Sequence, residues 1–119
     1  MILVDTSVWI EHLRYGTAGL ETVLDGGNVV CHPFIIGELA CGNLKSRVEI
    51  LTLLKNLPVA AVANDDEVLK FIEVHQLMGE GLGYIDIHLL MSTLLTGIPL
   101  WTFDKRLHKL ATSLLPPPH

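Results

Sequence analysis

The sequence predicts an α/β fold in which a short parallel β-sheet is flanked by helices. Short apolar runs that suit buried strands alternate with segments of helical length along all 119 residues. Turn-forming or acidic residues close these runs, and no internal repeat or linker divides the chain. A chain of this length forms one domain, which we expect over residues 1–115, followed by a Pro-rich tail at residues 116–119.

The first half of the chain predicts two strands and four helices. The turn Gly26-Gly27-Asn28 separates a helix from a strand, and Pro33 suits the first position of a helix that stops before Gly42. Thr6 or Ser7 can begin the first helix. In chain order we expect a strand at 2–5, a helix from 6 or 7 to about 14, a helix at 18–24, a strand at 29–31, and helices at 33–41 and 48–56.

The second half predicts two extended segments and three helices. Acids at 65–67 favour the first turn of a helix, because they interact well with its dipole. Glycines 79, 81 and 83 interrupt the chain, and prolines 116–118 end regular structure. In chain order we expect an extended segment at 59–62, helices from 65 to about 78 and from 85 to 96, a strand at 100–102, and a helix from 105 to about 110.

Four acidic residues follow or interrupt apolar runs. They are Asp5, Glu38, Asp86 and Asp104. A carboxylate removed from water costs several kcal/mol unless it is compensated, so four such positions suggest a shared cation. Asp5 and Asp104 come at the carboxyl ends of two predicted parallel strands, where folds of this class bind ligands. We therefore expect a ligand site at that edge of the sheet.

Each acid taken alone also has an ordinary explanation. Asp5 and Asp104 can cap helices, Asp86 can be a first-turn acid, and Glu38 can reach water at the edge of its helix. Their joint occurrence favours a cation site formed by all four. Carboxylate oxygens suit Mg²⁺ or Mn²⁺, and the lack of a matching histidine and cysteine set argues against zinc.

Composition limits the classes of partner. The net charge of −5, from 13 acids and 8 bases, argues against simple electrostatic binding of nucleic acid. If the four acids hold a metal, nine acids remain against eight bases, and the ion makes the local field positive. The mean hydropathy of +0.45 leaves apolar surface for an interface with another chain. The amino-terminal apolar run has no basic region before it, so we expect a cytoplasmic protein without a membrane span.

Four stretches carry a resemblance to a known family. They are residues 2–10, 36–40, 83–90 and 100–107, and they occur in the family's order. On these stretches the chain resembles PIN-domain proteins, and more narrowly the VapC toxins of type II toxin–antitoxin pairs. The resemblance implies a PIN-like α/β/α sandwich and a ribonuclease that depends on Mg²⁺ or Mn²⁺. It also implies a homodimer and a cognate VapB-type antitoxin.

The resemblance also implies roles for individual residues. Its acidic quartet, both catalytic and metal-binding, falls on the four acids found from local context: Asp5, Glu38, Asp86 and Asp104. Hydroxyls that support the quartet would be Thr6 or Ser7, and Thr102. The position of three basic residues separately suggests contacts with the RNA backbone: Arg14 near the end of the first helix, and Lys105 and Arg106 after the last acid.

Two other functions compete with an RNA-cleaving enzyme. A phosphatase of the haloacid-dehalogenase type would use Asp5 as its nucleophile, but it needs a second acid where Ser7 stands. A non-enzymatic interaction module would keep a metal site only for binding a partner. Metal-dependent cleavage of RNA would distinguish the RNA-cleaving enzyme from the phosphatase and from the interaction module.

Overall fold

The computed structural model describes residues 1–114 as a three-stranded parallel sheet with seven helices, which confirms the predicted α/β class. The predicted Pro-rich tail at 116–119 lies outside the described residues. In chain order the elements are β1 (Ile2–Val4), α1 (Thr6–Tyr15), α2 (Leu20–Asp25), β2 (Val29–Val30), α3 (Pro33–Ala40), α4 (Arg47–Asn56), α5 (Asp65–His75), α6 (Tyr84–Thr96), β3 (Leu100–Trp101) and α7 (Lys105–Leu114).

The first strand is the centre of the sheet. The strand order is β2-β1-β3, and both neighbours run parallel to β1. Leu3 pairs with Val30 on one side and with Leu100 on the other, and its side chain is fully buried. Because all three strands point the same way, their carboxyl ends form a single edge. The predicted extended segment at 59–62 is reduced to one bridge between Val59 and Cys31.

Local signals set most of the helix ends. Pro33 is the first residue of α3, and the ring of His32 before it accepts a hydrogen bond from Phe34 N–H at 3.0 Å. Asn64 and Glu67 form a reciprocal capping box at the start of α5. Gly97, with φ of 73°, ends α6 in the left-handed conformation that glycine adopts without strain.

Most helix ends lie within two residues of the prediction, and two differ by more. Helix α5 stops at His75 rather than near residue 78, because Gln76 is left-handed and the next residue, Leu77, turns into the core. Helix α7 continues to Leu114 rather than to residue 110, and its buried Leu107 and Ala111 lie four residues apart on one face. Burial of Leu77 after α5 and of Ala111 within α7 therefore explains both differences.

None of the helices in residues 1–114 is both long enough and apolar enough to cross a bilayer.

Candidate active site

Asp5 lies at the carboxyl end of the central strand and is almost completely buried, with 5% of its surface exposed. It stands at the N-cap position of α1, yet its side chain does not cap that helix. Its Oδ2 atom instead accepts hydrogen bonds from Ser7 Oγ and Thr102 Oγ1, both at 2.8 Å. These bonds compensate the burial of the carboxylate and fix its orientation.

The Thr102 hydroxyl joins two of the acids. It donates to Asp5, and it accepts a hydrogen bond from the backbone N–H of Asp104 at 3.1 Å. The Asp104 side chain caps α7 by accepting from the backbone N–H groups of Arg106 and Leu107, each at 3.0 Å. The ends of β1 and β3 therefore meet through Thr102, at the sheet edge where the sequence predicts a ligand site.

Asp86 is the third residue of α6 and faces the same edge. Its Oδ2 accepts a hydrogen bond from the backbone N–H of Gly83 at 3.1 Å. The pKa of Asp86 is raised, first by burial and then by the negative charges of Asp5 and Asp104. The carboxylates of Asp5 and Asp104 are thus close enough to Asp86 to repel its negative charge.

Glu38 reaches the site through a hydroxyl. Its side chain is exposed on α3, and Thr6 Oγ1 donates a hydrogen bond to its Oε1 atom at 2.7 Å. Because Thr6 follows Asp5 directly in the chain, this bond ties Glu38 to the end of the central strand. The hydroxyl that follows Asp5 in the sequence thus fixes the position of Glu38.

Only two of the four acids are removed from solvent as the sequence predicts. Asp5 is buried and Asp86 is partly buried, but Glu38 and Asp104 are exposed. The prediction that all four acids occupy costly positions is therefore wrong for these two. Glu38 lies on the solvent side of α3, and Asp104 lies in the open turn before α7, where it also serves as a cap.

The donor set suits a hard divalent cation. The four acids offer only carboxylate oxygens, which Mg²⁺ and Mn²⁺ prefer, and the repulsion acting on Asp86 is what such an ion would relieve. No three histidine, cysteine or acidic side chains within residues 1–114 are arranged as a ready-made metal cage. That openness is compatible with Mg²⁺, which usually takes one or two carboxylates and keeps several waters.

A supporting contact that the sequence did not indicate fixes the start of α6. Asp65, the first residue of α5, accepts hydrogen bonds from Tyr84 Oη at 2.7 Å and from His88 Nε2 at 3.3 Å. Tyr84 and His88 lie two residues before and two after Asp86. The hydrogen bond from Tyr84, followed by that from His88, lowers the pKa of Asp65. Only the packing of α5 on α6 reveals this link, since 19 residues separate Asp65 from Tyr84.

For the RNA cleavage that the resemblance implies, we expect Asp65→Ala to lower kcat by about tenfold with little change in KM, since groups that orient a site from outside contribute about 10- to 100-fold. The reason is that α6, and with it Asp86, loses its anchor on α5. Asp65→Asn should restore most of the rate, because its amide oxygen can accept both hydrogen bonds. Asp66→Ala is the matched control, since it removes the neighbouring first-turn acid. Equal rates for the two alanine variants would contradict a positioning role for Asp65.

Thr102→Val tests the hydroxyl that joins Asp5 to Asp104. We expect the variant to lose about 1–3 kcal/mol of unfolding free energy, because the buried Asp5 carboxylate loses a donor. Urea denaturation with an unchanged m-value measures the difference. The control is Thr112→Val, which removes an exposed hydroxyl bonded only within α7 and should change stability by less than about 0.5 kcal/mol. A loss at Thr102 no larger than at Thr112 would contradict the importance of this bond.

The three predicted RNA contacts have different surroundings. Arg14 lines a groove of about 430 Å³ between α1 and α3, which Glu38 also lines. Lys105 is exposed at the first position of α7. Arg106 lies with its guanidinium against the backbone of Gly81, in the loop that leads to α6. All three are near one of the four acids in sequence or in space.

Comparison with known proteins agrees with the geometry. The family model of the PIN domain matches residues 2–112, a range that includes all four acids. Ribonuclease VapC32 of Mycobacterium tuberculosis, from strain CDC 1551 / Oshkosh and from strain ATCC 25618 / H37Rv, is 51% identical to this chain over 108 residues. The aligned part covers 90% of this chain and 87% of each relative. The resemblance found in the four sequence stretches is confirmed, and the chain belongs to the PIN-domain family, where it is similar to the VapC ribonucleases.

Proposed function

We propose that this protein is a metal-dependent endoribonuclease that hydrolyses phosphodiester bonds of tRNA, rRNA or mRNA. The observation that carries the proposal is the meeting of Asp5, Asp86 and Asp104 at one sheet edge, where Thr102 joins Asp5 to Asp104 and the charges of both act on Asp86. The 51% identity with proteins named Ribonuclease VapC32 supports the choice of RNA as substrate. The acids of this edge and Glu38 are the proposed catalytic and metal-binding residues.

The four carboxylates would hold Mg²⁺ or Mn²⁺. When bound, such an ion lowers the pKa of water and stabilises negative charge on phosphate oxygens. Ser7 and Thr102 orient Asp5 for this task, and Thr6 orients Glu38. Oδ2 of Asp5 is taken up by the two hydroxyls, so Oδ1 is the oxygen that we expect to face the ion.

Basic side chains around the acids would bind the RNA backbone. Arg14 lies in the groove that Glu38 borders, and Lys105 follows Asp104 directly. Their positive charges offset the local negative charge of the site, and phosphate contacts of this kind fix the register of a strand without reading its sequence. Arg106 is the third of these proposed contacts.

In the cell, we propose that the protein is the toxin of a type II toxin–antitoxin pair and that it inhibits translation in the cytoplasm. The VapC name of the relatives supports a VapB-type antitoxin as its partner. Homodimerisation is supported by exposed apolar residues around the hydrogen bond from Ala61 N–H to Thr96 Oγ1, namely Val59, Val62 and Leu95. Sedimentation of the purified protein would give the oligomeric state.

An RNA cleavage assay tests the proposed activity. Purified protein, freed of any bound antitoxin, is incubated with labelled structured RNA in Mg²⁺, in Mn²⁺ and in EDTA. We expect cleavage with either metal and none in EDTA, because the acids would hold the ion that the reaction requires. Sequencing the fragment ends identifies the RNA class and the bond that is cut.

Two other results would overturn the proposal. Hydrolysis of a phosphomonoester with intact RNA would favour a haloacid-dehalogenase-like phosphatase. An absence of turnover on any RNA, together with a Mg²⁺-dependent rise in melting temperature, would favour a non-enzymatic module that uses the metal for partner binding.

A further inference from the structure

Arg106 has an unusual contact with a glycine. Its guanidinium lies so close to Gly81 that a Cβ atom there would collide with Nη1 and would lie only 3.0 Å from Cζ. Gly81 has φ of 78°, in the left-handed region that glycine adopts freely. The guanidinium therefore occupies the space that a side chain at residue 81 would fill.

The arginine lines a basic groove with a second cation. The groove has a volume of about 310 Å³ and is lined by α7 and the loop at 79–83, and Lys109 lies three residues after Arg106 on the same face of α7. Neither cation forms an ion pair with a carboxylate of residues 1–114. Among residues 1–114, Glu80 is the single acid in the lining, so the described residues give the groove a net positive charge.

The groove begins where two of the acids are fixed. The backbone N–H of Arg106 donates to Asp104, and Gly83, two residues after Gly81, donates to Asp86. The same two segments that hold these carboxylates thus form the walls of the groove. The groove therefore adjoins the two segments that carry Asp104 and Asp86.

We propose that this groove is a subsite for the RNA backbone phosphates that flank the bond being cleaved. The inference rests on the proposed ribonuclease function and deepens it. The flat guanidinium of Arg106 suits bidentate contact with a phosphate, and Lys109 adds a point charge beside it. Because Gly81 leaves space for the guanidinium against the loop, it is a positioning residue for this subsite.

Binding measured apart from cleavage tests the subsite. The probe is a fluorescein-labelled single-stranded RNA of about 16 nucleotides, the upper end of common single-strand site sizes, followed by anisotropy in EDTA. We expect Arg106→Ala/Lys109→Ala to raise Kd about tenfold and to reduce the slope of log K against log salt by about 1.4, since each phosphate contact contributes about 0.7. Cleavage in Mg²⁺ should show a higher KM with kcat nearly unchanged.

Two glycine variants separate the position of Arg106 from backbone strain. Gly81→Ala introduces a side chain that displaces the guanidinium, and we expect Kd to rise at least about threefold. Gly79→Ala is the matched control, because Gly79 also has a positive φ of 74° but has open space around its Cβ position. The melting temperature of Gly79→Ala should fall as that of Gly81→Ala does, because alanine is strained at a positive φ. The Kd of Gly79→Ala for RNA should stay within about twofold of the parent value.

Glu80→Gln should change Kd for RNA in the direction opposite to that expected for Arg106→Ala/Lys109→Ala. Removing the charge of Glu80 should lower Kd for the same RNA by about two- to threefold, because phosphates no longer meet a like charge there. Equal Kd values for Gly81→Ala and Gly79→Ala, with an unchanged salt slope in Arg106→Ala/Lys109→Ala, would overturn the subsite. Polyglutamate serves as a second probe, representing an acidic protein segment. If Arg106→Ala/Lys109→Ala weakens the binding of polyglutamate as much as that of RNA, the groove is a surface for acidic protein segments and the RNA subsite is overturned.

The subsite and the proposed function fail in different ways. If the parent protein neither binds nor cleaves RNA, the ribonuclease function itself is wrong. If the parent cleaves RNA and the groove variants bind and cleave it equally well, only the subsite is wrong.

Discussion

Replacing Asp5 with asparagine is expected to lower the rate of RNA cleavage by at least about 1,000-fold while the fold stays intact, because several kcal/mol of metal-dependent stabilisation is lost. Asparagine has the same shape, and its amide oxygen can still accept from Ser7 and Thr102. The neutral amide is, however, a much weaker partner for a divalent cation than a carboxylate. Single-turnover cleavage of labelled RNA in Mg²⁺ measures the effect.

A charge-matched control distinguishes the loss of the Asp5 carboxylate from the loss of one negative charge anywhere on the protein. Glu11→Gln removes one negative charge from an exposed position on α1, the helix that follows Asp5, and should leave cleavage within about twofold of the parent. Mg²⁺ should raise the melting temperature of the parent and of Glu11→Gln, and should raise that of Asp5→Asn much less. An Asp5→Asn enzyme that retains cleavage within about tenfold of the parent, with the same Mg²⁺ requirement, would contradict the role of Asp5.

The position of Asp5 was predictable because it depends on local signals. An apolar run of three residues followed by an acid and two hydroxyl residues specifies a buried strand, its end and the start of a helix, and β1 and α1 follow that pattern. The same reasoning places Asp104 after β3, and parallel strands bring both ends to one edge. Fold class and the meeting of these two acids therefore follow from the sequence.

Features that depend on contacts between distant segments were not predictable in this way. Phe34 and Ile35 beside Glu38 predict a buried acid, yet Ile35 is buried while Glu38 points to solvent and to Thr6. The sequence predicts a helix-dipole role for Asp65, and its hydrogen bonds to α6 appear only when two helices pack together. The close approach of Arg106 to Gly81 likewise joins segments 25 residues apart in the sequence.

The hydroxyl network also shows why this site tolerates a buried carboxylate. Ser7 Oγ contacts both Asp5 and Thr102, and it accepts a hydrogen bond from the backbone N–H of Phe103. Donors from α1 and from the end of β3 thus converge on one Asp5 oxygen. Among residues 1–114, Asp86 has no such set of donors, and its pKa is raised by burial and by the charges of Asp5 and Asp104. Its negative charge is therefore unfavourable in the folded protein.

Replacing Asp86 with asparagine is therefore expected to change stability and activity in opposite directions. A raised pKa in the folded state means that the folded protein holds this proton more tightly than the unfolded chain does, so ionisation of Asp86 destabilises the fold. At pH 7 and without metal, Asp86→Asn should raise the melting temperature by about 2–3 °C, as expected for a partly screened interaction of about 0.5 kcal/mol. RNA cleavage in Mg²⁺ should fall at least about 100-fold.

The dependence on pH separates this explanation from better packing of the asparagine. The penalty from Asp86 is complete above its raised pKa and disappears as pH falls below the ordinary value for an aspartate, so the thermal advantage of Asp86→Asn should shrink in acid. Asp66→Asn is the control, because it removes another first-turn acid and should lower the melting temperature slightly through the dipole of α5. A lower melting temperature for Asp86→Asn at pH 7, or an advantage that persists unchanged in acid, would contradict repulsion among the carboxylates. Saturating Mg²⁺ should cancel the advantage at pH 7, because the ion would relieve in the parent the same repulsion that the substitution removes.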